Sequence, residues 1–131
     1  MLRHLYIKNY ALIDELALDF SEGFTIITGE TGAGKSILLG GLALVLGKRA
    51  DLSQIKDNND KCIIEATFHI AAYELGDLFK TLDLDYEPQT IIRREILPSG
   101  KSRAFVNDTP TNLQALHAIS AHFIDIHSQH H

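Results

Sequence analysis

Gly29, Glu30, Thr31, Gly32, Ala33, Gly34, Lys35 and Ser36 follow the pattern G-x-x-x-x-G-K-[ST] without a mismatch. Each residue type there has a physical task on a polyphosphate. Glycines let backbone N–H groups approach an anion with no Cβ in the way. A lysine at the Lys35 position neutralises charge on the β and γ phosphates, and a hydroxyl at Ser36 can ligate magnesium. The expected ligand is therefore ATP with Mg2+, held by residues 29–36 and by Ile37 just beyond them. Glu30 has no catalytic task in this reading, because a carboxylate beside phosphates must point away or pair with a cation.

A loop of this kind works only between a buried strand and a helix. Residues 24–28 form a short β-branched run that predicts the strand, and residues 34–46 are almost wholly apolar or small, predicting a buried central helix capped by Gly47. Gly40 and Gly41 inside that helix each cost ~1 kcal/mol relative to alanine, which close packing on a sheet would explain. Upstream, residues 2–7 and 11–20 predict a hairpin. Downstream, residues 51–61 predict a polar surface loop and residues 62–70 a strand. Leu75, Leu78, Phe79 and Leu82 have helical spacing within residues 73–82. Residues 90–97 and 102–106 predict a second hairpin, Thr109 and Pro110 a helix start running to about Ala121, and residues 123–126 a last short strand.

Bulk composition fits one compact α/β domain: 131 residues, 45% hydrophobic, with three prolines. A formal charge of −5 gives no general attraction to nucleic acid or to an acidic membrane. The single Cys62 excludes an internal disulfide framework, and the longest apolar run, 37–46, is about half of the ~20 residues a membrane span needs. With no signal-peptide pattern, the expectation is a cytoplasmic protein.

Hydrolysis also needs an acidic residue at the end of a second buried strand. Asp125 is the sole candidate, and the run before it is short for that role. His117, His122, His127, His130 and His131 crowd the end of the sequence but lack a ligand spacing, so surface histidines are expected in place of a zinc site. Gln129, a polar amide after that short run, could reach magnesium or the attacking water.

Lys8-Asn9-Tyr10 and Ala11-Leu12-Ile13, followed by Thr28 through the phosphate loop to Ile37, resemble the start of the RecN family of bacterial DNA repair proteins. Leu46-Gly47-Lys48-Arg49-Ala50-Asp51 is similar to that family's segment after the first helix, and Ile124-Asp125-Ile126-His127-Ser128-Gln129-His130 is similar to its Q-loop, with Ser128 where glycine is common. The resemblance spans nearly the whole sequence. It implies a P-loop NTPase fold: the N-terminal lobe of an ATP-binding-cassette, SMC-like ATPase head, with a mixed β-sheet around a central helix. It also implies that residues 1–131 form that lobe, while a coiled coil and a C-terminal lobe with the signature motif and Walker B lie elsewhere. Two ATP molecules would be sandwiched between two heads, in a homodimer coupled indirectly to DNA in recombinational repair of double-strand breaks, near the nucleoid and without a membrane. By position, the resemblance assigns magnesium to Ser36 and Gln129, places Lys8 and Asn9 near the base, and puts Arg49 on a loop near the nucleotide or DNA. ATPase activity would then belong to the full protein, this part supplying Walker A and the Q-loop without hydrolysing ATP alone. Two rival readings remain: a small autonomous P-loop phosphotransferase or kinase, and a non-catalytic association module.

Overall fold

A computed structural model describes residues 1–20 and 32–128, with side chains to Phe123. Among the described residues, six strands form one sheet in the order β2-β1-β3-β4-β5-β6. These are β1 (Leu2–Tyr10), β2 (Ile13–Asp19), β3 (Cys62–His69), β4 (Gln89–Ile96), β5 (Ser102–Val106) and β6 (Thr109–Thr111). Every described pairing is antiparallel. The expected strand at 24–28 lies outside the described residues.

Strict alternation on β3 explains how the sheet acquires its two faces. Cys62, Ile64, Ala66 and Phe68 are buried on one side, and their partners on β4 are Ile96, Arg94, Ile92 and Thr90. On the other side the register lines up Glu65 with Arg93 and Glu95 with Arg103. There Arg93 stands 4.4 Å over the Phe105 ring and pairs with Glu95 at 3.2 Å, Asp108 at 3.4 Å and Glu65 at 3.6 Å, a partly solvated charge grid.

Helix α1 (Gly32–Val45) packs on the apolar face, as its composition requires. Ideal Cβ atoms at Gly40 and Gly41 would meet the Tyr10 hydroxyl at 2.6 Å and Ile7 Cδ1 at 3.2 Å, so the two glycines are there for close approach to β1. Leu38, Leu42, Leu44 and Val45 are buried, whereas Ser36 and Leu39 are open to solvent. The short helix α2 (Gly76–Thr81) begins later than its apolar spacing suggests, because Glu74 takes a left-handed φ of 55° after a 3-10 turn at Ala71–Tyr73.

Two expectations fail in the last quarter of the chain. Thr109 and Pro110 do not start a helix; they form β6, with Pro110 opposite Phe105 on the sheet's edge, where a missing N–H is tolerated. Asn107 and Asp108, at φ 48° and 68°, make the tight turn that sends β6 back along β5. The helix start is Asn112, whose Oδ1 accepts the Ala115 N–H at 2.9 Å. Nor do residues 123–126 form a strand: α3 (Leu113–Ser128) runs straight through them. Leu116, Ile119 and Phe123 share its inner face, and Phe123 stacks on Phe68 at 5.0 Å and tilts against Tyr73 at 5.3 Å. Tertiary packing on a helical period overrides the β-branched local run. Asp125 thus sits on a helix, not at a strand end, which removes the basis for a Walker B assignment.

Candidate nucleotide-binding site

Lys35 and Ser36 lie in the first turns of α1, with Gly34 before them and Ile37 after. No acidic residue occupies that first turn, so no carboxylate of α1 itself offsets the positive end of the helix dipole. Lys35 is half-buried, Ser36 is exposed, and no carboxylate among the described residues pairs with the Lys35 ammonium. This donor set suits a polyphosphate and a hard cation. Gly32 and Ala33 are part of the helix backbone, while Gly29, Glu30, Thr31 and Gln129 lie outside the described residues, as do His130 and His131.

The opposite end of α1 is tied down by the expected glycine cap and by groups the sequence did not advertise. Gly47, at φ 114°, donates to the Leu44 carbonyl, and Lys48 N–H reaches back to Ala43 O at 3.0 Å, closing a Schellman cap. Arg94, with no solvent exposure, donates through Nη1 to Leu44 O at 2.6 Å and Lys48 O at 2.8 Å, and through Nη2 to Ser102 Oγ at 3.2 Å. Its Nε is buried without a partner. Burial pulls the guanidinium below its usual pKa, and Cys62 nearby opposes that shift. From α3, Ser120 Oγ donates to Leu46 O at 3.0 Å and His117 Nε2 to Gly47 O at 2.7 Å, which fixes the Nε2–H tautomer.

Asn9 is buried on β1 at φ 59°. Its amide donates to the carbonyls of Asp57 (2.9 Å), Asp60 (3.1 Å) and Lys61 (3.4 Å), and its Oδ1 accepts the Asp57 N–H at 2.7 Å. The polar loop at 51–61 is therefore pinned to β1. Lys8, one residue earlier, sits opposite Glu15 and Ile63 on the face turned away from α1. Arg49 is exposed, in the segment that Arg94 holds through Lys48. His117 and His122 are exposed on α3, and among the described residues no three His, Cys, Asp or Glu side chains stand close enough to hold a metal.

Residues 4–122 match the AAA domain family. The chain belongs to that family. Nearly its whole length aligns with DNA repair proteins named RecN. That of Vibrio cholerae serotype O1 is 40% identical over 131 residues, 99% of this chain and 24% of the relative. That of Bacillus subtilis (strain 168) is 36% identical over 132 residues, 99% of this chain and 23% of the relative. The chain thus spans about a quarter of the length of the curated relatives it matches. Among solved structures it resembles an SMC ATPase described by its ATP-driven dimerisation and DNA-stimulated activation, at a TM-score of 0.68 and 20% identity, over 92% of this chain and 78% of that one. It also resembles the recombination mediator RecF with a bound ATP analogue, at a TM-score of 0.64 and 17% identity, over 88% of this chain and 29% of that one. The AAA domain here therefore has the fold of SMC and RecF ATPase heads, a nucleotide-binding fold.

Sequence reasoning missed Arg94, Ser120 and the use of His117. One signal was available: Thr90, Ile92, Arg94 and Ile96 fall on one side of a strand, so an arginine stood in line with core positions.

Proposed function

We propose that this chain is the ATP-binding lobe of a RecN-type, SMC-like ATPase that acts in recombinational repair of DNA double-strand breaks. The observation that carries the reading is the placement of Lys35 and Ser36 on the first turns of a buried helix whose far end is locked to the sheet. Its RecN relatives, matched over 99% of the chain, support the repair assignment. Residues 29–37 hold the phosphates; Ser36 and Gln129 hold magnesium, which neutralises charge on the β and γ phosphates. Asn9 acts at the base end by holding the loop at 57–61, with Lys8 beside it.

The site is half of a composite one. A C-terminal lobe and a second head supply the signature motif and the catalytic acid, and DNA acts on the assembled pair. The whole protein works in the cytoplasm, at the nucleoid; among the described residues no helix is long and apolar enough to cross a membrane. An autonomous phosphotransferase is less favoured, because Asp125, the one acidic candidate, lies on a helix. Turnover separates the two readings. The chain alone should bind ATP without hydrolysing it, and steady phosphate release that disappears in Lys35→Ala would sink the half-site reading.

A further inference from the structure

We infer that Arg94 is a positioning residue for the phosphate site: it sets the axial register of α1, and so the place of Lys35 and Ser36, from the helix's opposite end. This rests on the nucleotide reading above. Along the shaft of α1, Gly41 packs on the apolar side chains of Ile7 and Ile64, and Gly40 on the hydroxyl end of Tyr10. Such contacts fix the height of the helix over the sheet by close packing, and a hydrogen bond from the sheet to a helix carbonyl adds a directional tie that defines one axial position. At the C-terminal end of α1 and its cap, directional side-chain ties come from Arg94, Ser120 and His117. Of these, Arg94 alone comes from the sheet. It also holds Ser102, so one guanidinium joins β4, β5 and α1.

From Leu44 back to Lys35 the helix runs roughly 14 Å at ~1.5 Å per residue, and a hydrogen-bonded helix transmits an axial shift undiminished. A buried guanidinium facing only carbonyls and a hydroxyl, with Nε orphaned, is costly for a cap. The Schellman bonds of Gly47 and Lys48 already satisfy two of the terminal carbonyls. What Arg94 adds is a connection to the sheet.

The test measures binding of Mg-ATP and of AMP to the full chain and to Arg94→Gln, at a temperature where circular dichroism shows both fully folded. Loss of register should weaken ATP by about tenfold while leaving AMP within about twofold, because the β and γ phosphates are what Lys35 meets. Arg94→Lys, which can still reach a carbonyl, should recover part of the ATP affinity. A purely structural role would lower the melting temperature and leave the affinity of the folded protein unchanged, and that result overturns the proposal. If Arg94→Gln does not fold, the pair Ser102→Ala and Ser120→Ala replaces it. ATP binding then weakens by about threefold if the ties set the register, and wild-type affinity overturns the idea. Failure of the unaltered chain to bind ATP would remove the nucleotide reading itself; binding by the unaltered chain with no effect of any variant removes only the role of Arg94.

Discussion

The hydroxyl of Tyr10 lies 2.6 Å from where a Cβ on Gly40 would stand, and it donates to Gln54 Oε1 at 3.1 Å. One phenol thus explains a glycine in the middle of α1 and ties the loop after that helix to β1. On an exposed helix Gly→Ala gains up to ~1 kcal/mol. Here Gly40→Ala should instead lower stability by about 1–3 kcal/mol through overpacking. Adding Tyr10→Phe should return most of that loss, because the ring carbon beneath the hydroxyl is 3.6 Å from the new methyl, an ordinary contact. Urea denaturation of the two single variants and the double variant checks this, and a stabilised Gly40→Ala would contradict it.

Asn9 supplies both donors and an acceptor to the loop at 57–61 from a left-handed backbone that asparagine tolerates. Asn9→Ala should cost about 2–3 kcal/mol, from the lost hydrogen bonds, the unsatisfied carbonyls and the backbone strain together. Hydrogen exchange should speed up in the loop at 57–61 and not in α3. Equal protection throughout would show that the loop holds itself.

Gly47 combines a φ of 114° with a His117 ring whose Cδ2 would collide with any added Cβ. Gly47→Ala should destabilise by about 1–3 kcal/mol. His117→Ala in the same chain should relieve the collision but not the backbone strain, so recovery is partial. Thermal melts of the three variants read this out.

Cys62 is fully buried, and desolvation pushes its thiol up to about 11, with Arg94 opposing. The folded state holds the proton more tightly than the unfolded one, whose value is near 9.0. That contribution is therefore intact below pH 9 and is lost as pH rises toward 11. Stability should fall across that window, less steeply in Cys62→Ala; the buried Tyr10, raised by desolvation, adds to the residual slope. At pH 8 the folded chain should resist iodoacetamide, and rapid labelling would contradict the burial.

The phosphate-loop pattern can be read from sequence because its chemistry is local, glycines, a lysine and a hydroxyl at fixed offsets, and of its residues the structure describes 32–36, at the start of α1. The strand at β3 was legible because its alternation has a period of two, and the hairpin of β4 and β5 because Pro98, Ser99, Gly100 and Lys101 separate two strand-like runs. The end of the chain was not. Thr109 and Pro110 satisfy a helix-start pattern and an edge-strand pattern equally, and pairing with Phe105 decides between them. Residues 123–126 look strand-like until Phe68 and Tyr73 claim Phe123 on a helical period. Arg94 and Ser120 act on backbone carbonyls remote in sequence, and no short pattern encodes such contacts.

The central claim is that Lys35, at the start of α1, binds the phosphates of ATP. Calorimetric titration of the folded chain with Mg-ATP tests it most directly. One nucleotide should bind per chain, and Lys35→Ala should weaken that binding by about tenfold or more with its fold unchanged. A folded chain that binds no ATP, or a Lys35→Ala variant that binds as tightly as the unaltered one, would contradict the account.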